Sequence, residues 1–282
     1  MPELSDEYIR LHVTNALAED IGSGDVTTNA LISADHQSEA RIIAREDIVL
    51  SGISLALAVF QELDPHCEIH QIKKDGHQVN QGDNVMSITA STRALLTGER
   101  TALNFIQRMS GIATIAALYV NEVRDSNALI FDTRKTTPGW RLLEKYAAQC
   151  GGAQNHRYGL DDMVMIKDNH LASMGGSNRI ARAIETTQKH APELKVEVEA
   201  DTVSQAKQAA DAGADIVLLD NMTLGELRRA VSAVDNRSQT EASGGISLRD
   251  IKEIASTGVN RISVGAITHS APAVDISMEI KN

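Results

Sequence analysis

Six short runs in the second half of the chain combine cations, acids and small residues in a way suited to holding a phosphorylated, anionic substrate. They are Asp132-Thr133-Arg134-Lys135, Lys167-Asp168-Asn169-His170, Glu199, Asp220-Asn221, Ser243-Gly244-Gly245 and Gly265-Ala266. Guanidinium and ammonium groups bind carboxylates and phosphates, and Arg can do so through two parallel hydrogen bonds. A pair of carboxylates such as Glu199 and Asp220 can organise a hydrated Mg2+, directly or through water. The small residues at 243–245 and 265–266 let backbone N–H groups approach a phosphate. Singly, each run has a plainer reading: a strand-end Asp or Ser caps the next helix, glycine serves a tight turn, and two acids enter internal ion pairs. Together they describe one site.

Each run follows an apolar stretch that reads as a strand: residues 129–132, 163–166, 195–199, 215–219, 239–242 and 261–264. The last four end at Glu199, Asp220, Ser243 and Gly265, spaced 21, 23 and 22 residues apart, which is room for one strand, one helix and two short loops. Repeated strand-helix units build a parallel sheet. In a barrel of such units the residues directly after each strand meet at one rim, and the last two strands commonly carry the phosphate site. Glu199 and Asp220 close apolar strands, where a carboxylate needs a cation or hydrogen bonds to offset the loss of water.

Residues 1 to about 112 read differently, as α+β. A helix is expected over 5–19, a Gly- and Thr-rich turn over 22–28, strands over 38–45 and 48–50, a helix over 53–63, and strands over 68–72 and 84–89. The run 76–85 resembles the turn-strand-turn pattern of biotinyl and lipoyl carrier domains, but Lys73 and Lys74 lie outside any matching motif, so a structural layer is expected there. A long amphipathic helix over 92–123, interrupted at Ser110-Gly111, links the halves. The expected domains are 1–112 and 113–269, with a tail of about 270–282 able to pack back on the first.

The chain has 282 residues, of which 42% are hydrophobic, 23% charged and only 3% aromatic, so an aliphatic core is expected. Its net charge of −11 argues against a broad footprint for nucleic acid or an anionic membrane, and any anionic ligand must find a local basic cluster. Cys67 and Cys150 have no zinc or disulfide spacing, there is no signal-like N-terminus, and no apolar run approaches a membrane span; a soluble cytoplasmic protein is expected. Walker, dinucleotide and His-Glu-x-x-His motifs are absent.

The run Thr133-Arg134-Lys135-Thr136-Thr137-Pro138-Gly139-Trp140-Arg141 continues through Glu144-Lys145-Tyr146-Ala147 to Cys150-Gly151-Gly152, Asn155-His156-Arg157, Gly159-Leu160 and Ile166-Lys167-Asp168-Asn169-His170. With Glu19-Asp20-Ile21-Gly22-Ser23-Gly24-Asp25-Val26-Thr27-Thr28, Gly98-Glu99-Arg100-Thr101-Ala102-Leu103-Asn104 and Glu241-Ala242-Ser243-Gly244-Gly245, it closely resembles the quinolinate phosphoribosyltransferase family over the whole chain. Trp140 and Ala153 depart from the family's usual residues and leave the shape of that loop open.

The resemblance implies an N-terminal α/β sandwich domain and an open α/β barrel of the type II phosphoribosyltransferase kind. It implies a Mg2+-dependent transfer of phosphoribosyl from phosphoribosyl pyrophosphate to quinolinate with loss of CO2, a step of NAD biosynthesis. It also implies a homodimer with shared active sites, in which Arg100 acts in trans. Arg134, His156 and Arg157 match the family's quinolinate-binding cations, and Lys135 and Lys167 match lysines near the substrates. Glu199 and Asp220 match acids around metal and ribose, and Ser243, Gly244 and Gly265, with neighbouring Gly245 and Ala266, match the 5-phosphate site; Thr133 joins the substrate-binding set. Lys135, Lys167 and His156 all stay open as the donor of a proton to the ring carbon. Rival readings are a paralogous transferase with another acceptor, against which the intact Arg134, His156 and Arg157 set speaks, an aldolase-like barrel with a Schiff base on Lys167, and a carrier module.

Overall fold

The computed structural model describes residues 4–281. Their contacts form two compact units. One holds the described residues through Ala117 together with Leu142–Gly152 and the segment from Ala271 onward, and the other holds Leu118–Arg141 and Ala153–Ser270. The expected domain ranges include residues 1–3 and 282, which lie outside the described residues.

In chain order the strands of the N-terminal half are β1 (Gln37–Ala44), β2 (Ile48–Val49), β3 (Glu68–Ile72), β4 (Gln78–Val79) and β5 (Asn84–Ser91). Six follow in the second half: β6 (Leu129–Phe131), β7 (Val164–Ile166), β8 (Val196–Ala200), β9 (Ile216–Asp220), β10 (Gln239–Ser243) and β11 (Arg261–Ser263), and β12 (Ile276–Lys281) ends the chain.

The first unit is built on an antiparallel sheet in the order β12-β1-β5-β3. Period-two alternation places Ala40, Ile42 and Ala44 of β1 on the buried face. Helix Ile53–Leu63 buries Leu55, Ala56, Val59 and Phe60. It enters through Gly52 at φ 96°, where an added Cβ would come within 2.9 Å of the Met109 sulfur, so only glycine fits. Part of the carrier-like run forms a small ladder, β2 against β4, and Lys73 pairs with Asp83 at 2.9 Å.

Two expectations for this unit change. The Gly-rich segment 22–28 is only partly a turn: Asp25 accepts the Thr28 amide at 2.9 Å and caps a short helix, Val26–Leu31. The long helix, Thr92–Glu122, runs without interruption. Ser110 and Gly111 make a packing notch in it. The buried Ser110 hydroxyl donates to Ser51 O at 3.1 Å, and a Cβ on Gly111 would collide with the Pro272 carbonyl.

In the second unit the six strands are parallel, in the order β6-β11-β10-β9-β8-β7, and the outer side of β6 also exchanges backbone hydrogen bonds with Gln154. Every strand boundary lies within a residue or two of its sequence expectation. β9 is apolar on both faces, as a sheet covered by helices requires, and Val217 and Leu219 are fully buried. The intervening helices start on capping boxes, Thr202 with Gln205 and Thr223 with Glu226. They turn small apolar faces inward, such as Ala206, Ala209 and Ala210. Among the described residues no helix is long and apolar enough to cross a membrane.

Candidate active site

At the carboxyl ends of these parallel strands lies a cavity of about 830 Å³. Its lining includes Thr133, Arg134, Lys135, His156, Arg157, Lys167, Glu199, Asp220, Ser243, Gly244, Gly245, Gly265 and Ala266. Residues 133 positions apart in sequence thus face one space, on the rim that barrel architecture favours. Of the expected set only Arg100 is elsewhere: it belongs to the first unit, exposed on helix Thr92–Glu122.

One wall is cationic. Burial depresses the Arg157 pKa and the neighbouring Arg134 charge adds to the effect, so the two guanidinium groups repel in the absence of an anion. The buried Nε of Arg134 has no hydrogen-bond partner among the described residues, a donor left for a ligand. Arg157 Nη1 is steadied by Met163 O at 3.1 Å. Asp132, fully buried at the end of β6, holds the segment that carries Arg157: it accepts the His156 amide at 2.8 Å and the Asn155 side chain at 2.7 Å.

The same cavity holds the acids Glu199 and Asp220. Burial raises the Glu199 pKa; Lys167, 4.0 Å away, opposes the rise, while Asp220, Asp168 and Asp201 add to it. This surplus of hard carboxylate oxygens fits Mg2+, whose charge would relieve their mutual repulsion. Asp220 is oriented by Asn221 Nδ2 at 2.6 Å.

The third wall is bare backbone. Gly244 and Gly245 have φ of 104° and 58°, and a Cβ on Gly244 would strike the Asn221 carboxamide. Asn221 itself takes the left-handed conformation, φ 51°, and its amide donates to Ser243 O at 3.0 Å, tying β9 to the glycine turn. At Gly265 an added Cβ would lie 3.1 Å from both the Lys135 side chain and His269 Nε2. The Thr268 hydroxyl donates to Lys135 O at 2.7 Å.

The cavity also presents Asn221, from the Asp220-Asn221 run, and residues that the sequence reading did not place in the site: Met165, Leu218, Glu241, Ile246, Ser263 and His269. For Glu241, and for Glu197 beneath it, a signal existed. Glu197 precedes Glu199 by two on β8, and Glu241 precedes Ser243 by two on β10, so strand alternation puts each on the face of its recognised neighbour.

Both glutamates are fully buried, and each places an oxygen 3.2 Å from His156 Nε2. Arg261 Nε lies 2.6 Å from Glu241, the Arg261 Cζ sits 3.8 Å from the centre of the Phe131 ring, and the Ser263 hydroxyl donates to Glu241. Burial raises the Glu197 pKa, and the charge of Glu241 raises it further. For His156 burial works downward, but the hydrogen bonds and charges of Glu197 and Glu241 outweigh it and push the imidazole up to about 9. The Arg157 amide opposes that protonation. It donates to His156 Nδ1 at 2.8 Å, and a protonated Nδ1 has no lone pair to receive it. The three side chains lie close enough together that their ligand atoms could also suggest a metal.

The family model for the quinolinate phosphoribosyl transferase C-terminal domain matches residues 112–279, and that for the N-terminal domain matches residues 25–110. A probable nicotinate-nucleotide pyrophosphorylase [carboxylating] of Synechocystis is 41% identical over 268 residues, covering 94% of this chain and 90% of the relative. Its counterpart in Bacillus subtilis is 40% identical over 262 residues, covering 93% and 90%. Among solved structures, NadC from Streptococcus pyogenes superposes with a TM-score of 0.95 at 39% identity, over 100% of this chain and 99% of that one. The nicotinate-nucleotide pyrophosphorylase from Francisella tularensis gives 0.93 at 38%, over 99% and 98%. The chain belongs to the quinolinate phosphoribosyl transferase family.

Proposed function

We propose that this chain transfers phosphoribosyl from phosphoribosyl pyrophosphate to quinolinate, releasing pyrophosphate and CO2 and forming nicotinate mononucleotide, a precursor of NAD. The observation that carries this reading is the single cavity in which a cationic wall, an acidic pair and a glycine-lined backbone cradle face one another. Each suits one part of the two substrates.

Quinolinate carries two adjacent carboxylates, and Arg134, Arg157 and Lys167 supply converging donors for them. The local cluster is needed because the chain's net charge of −11 repels both substrates at a distance. Thr133, Ser243-Gly244-Gly245 and Gly265-Ala266 take the phosphoribosyl part, the glycines admitting the 5-phosphate to backbone N–H groups. Lys135, held by Thr268 beside Gly265, reaches the same end of the cavity.

The pyridine nitrogen attacks C1 of the ribose as pyrophosphate leaves, and holding the two in line provides much of the rate. Glu199 and Asp220 face the cationic ribose and are the residues that would hold Mg2+, directly or through water. When bound, Mg2+ neutralises the charge of the departing pyrophosphate. The N-ribosylated pyridinium accepts the electron pair freed as the neighbouring carboxylate leaves as CO2, so no organic cofactor is required, and the ring carbon then takes a proton. Lys135, Lys167 and His156, which all line the cavity, are the candidate donors of that proton.

A homodimer completing the site through Arg100 of the other copy fits the position of Arg100 in the first unit. Exposed Val26, Leu31 and Leu96 in that unit offer apolar surface for such an association, and sedimentation would report it. The reducing cytoplasm is the compartment that suits the two free cysteines. The direct test of the whole reading is to mix the protein with Mg2+, phosphoribosyl pyrophosphate and quinolinate. Nicotinate mononucleotide and CO2 in equal amounts support it; product from a different pyridine acid alone would assign another acceptor.

A further inference from the structure

Resting on that reading of the cavity, we propose that Arg141 is a positioning residue for quinolinate capture: its forked guanidinium ties the segment that carries Arg134 and Lys135 to the segment that carries His156 and Arg157, and so sets the spacing of the cationic wall. Arg141, Thr136 and Tyr158 all belong to the second unit. Arg141 Nε donates to Thr136 Oγ1 at 3.1 Å, and its Nη1 donates to Tyr158 O at 3.0 Å. Thr136 directly follows Lys135, and Tyr158 directly follows Arg157. Neither Arg141 nor the two residues it grips lines the cavity, so its effect on a ligand passes through their neighbours.

The local sequence brings Arg141 to this place. Thr137-Pro138-Gly139-Trp140 closes as a turn in which the Trp140 amide donates to Thr137 O at 3.0 Å. The Pro138 ring fixes φ at the second position, and Gly139, at φ 81°, takes the left-handed third position of a type II turn. The reversal returns the chain so that Arg141 meets Thr136. On the other segment Asp162 accepts the Tyr158 amide at 2.6 Å and the Gly159 amide at 3.2 Å, a turn that leaves the Tyr158 carbonyl to Arg141.

Two rungs thus join the segments. Asp132 forms the first, through the His156 amide and the Asn155 side chain, and Arg141 forms the second, beyond the cations. Arg134 and Lys135 lie between the rungs on one side and Arg157 on the other. The second rung matters because the two sides carry like charge: after burial, it is the Arg134 charge that depresses the Arg157 pKa, so an empty site tends to spread. Arg141 directs its own charge at two neutral acceptors, which makes both bonds charge-assisted and adds to the field that draws a dicarboxylate. Lysine, a single ammonium on a flexible stem, does not present this fork.

The experiment has two arms. In the first, Arg141→Lys keeps the charge and loses the fork, while Thr136→Val keeps Arg141 and removes one acceptor. Arg141→Lys is expected to raise the quinolinate KM about tenfold and Thr136→Val about threefold, with the phosphoribosyl pyrophosphate KM held within about twofold because Thr268 still holds Lys135. The double variant should fall short of the product of the two single effects, since both remove the same tie. An unchanged quinolinate KM, equal rises for both substrates, or fully multiplicative losses reject the proposal. In the second arm, hydrogen exchange is followed on the whole chain without substrate. Faster exchange in Arg141→Lys confined to fragments covering residues 133–140 and 155–162 is expected; acceleration spread over the second unit, as a merely structural residue would give, or none at all, overturns it. A chain that did not use quinolinate would count against the proposed function, while the exchange pattern would still decide the clamp.

Discussion

Lys167 Nζ lies 4.0 Å from Glu199 Oε2, a separation at which the two charges feel each other without a tight hydrogen bond. The contact is half-open, since the Lys167 side chain keeps 48% of its exposure. Each group thus stays available to a ligand: the ammonium to a carboxylate, the carboxylate to a cation.

Removing the charge at Glu199 should therefore be felt first in metal dependence. In Glu199→Gln the Mg2+ concentration for half-maximal activity is expected to rise about tenfold or more, while the melting temperature holds or rises because a partly buried charge has gone. A Mg2+ titration of initial rates checks it; an unshifted midpoint rules Glu199 out of the metal site.

Arg157→Ala is expected to weaken quinolinate capture by about 2–5 kcal/mol, the range for one partner of a desolvated charge pair. Stability should change little, because the guanidinium is repelled by Arg134 before any anion arrives. Steady-state kinetics with a thermal melt separate the two effects, and a folded variant with an unaltered quinolinate KM would remove Arg157 from that role.

The glycine turn gives an opposite selectivity. Gly244→Ala asks an L-residue to take φ 104° against the Asn221 carboxamide, a strain of about 1–3 kcal/mol. The phosphoribosyl pyrophosphate KM is expected to rise while that for quinolinate stays near its starting value. Isothermal titration with inorganic phosphate provides a check free of catalysis.

A pH effect should come from outside the cavity. Asp75 in the first unit accepts the Gly52 and Ile53 amides and the Tyr146 hydroxyl at 2.9 Å, yet burial dominates and raises its pKa above the ordinary 3.8. A carboxyl raised in the folded state binds its proton more tightly there than in the unfolded chain. Its stabilising contribution is full below the ordinary value and lost as pH rises through the raised one. Asp75→Asn should flatten that stretch of the stability curve, as read by chemical denaturation at several acid pH values; an unchanged slope would show that Asp75 does not govern it.

Most of the second unit can be read from sequence because its strands are short apolar runs closed by a polar residue, a pattern set locally. The residues that follow them, from Arg134 to Gly265, then fall on one rim by topology alone. What cannot be read are the places where charge is buried. Glu144 and Lys145, on helix Arg141–Cys150, are fully inside, with Glu144 paired to Arg108 at 2.8 Å, and no hydropathy pattern assigns charged residues there to a core. Glu197 and Glu241 escape notice for the same reason. β12 is hidden by its polarity. Its Glu279 and Lys281 pair with Arg45 and Glu39 along a sheet edge, which gives the stretch the composition of a loop. The expected break at Ser110-Gly111 misleads because a glycine that admits a neighbouring carbonyl looks the same in sequence as one that ends a helix.

β12 pairs with β1 along six residues, from Glu39 opposite Lys281 to Ala44 opposite Ile276. A ribosome makes β1 before β12, with the whole parallel-stranded unit synthesised in between. The first sheet must therefore wait, one strand short, until β12 has been made. The parallel-stranded unit, whose strands and helices alternate along one stretch of chain, has every strand it needs before that.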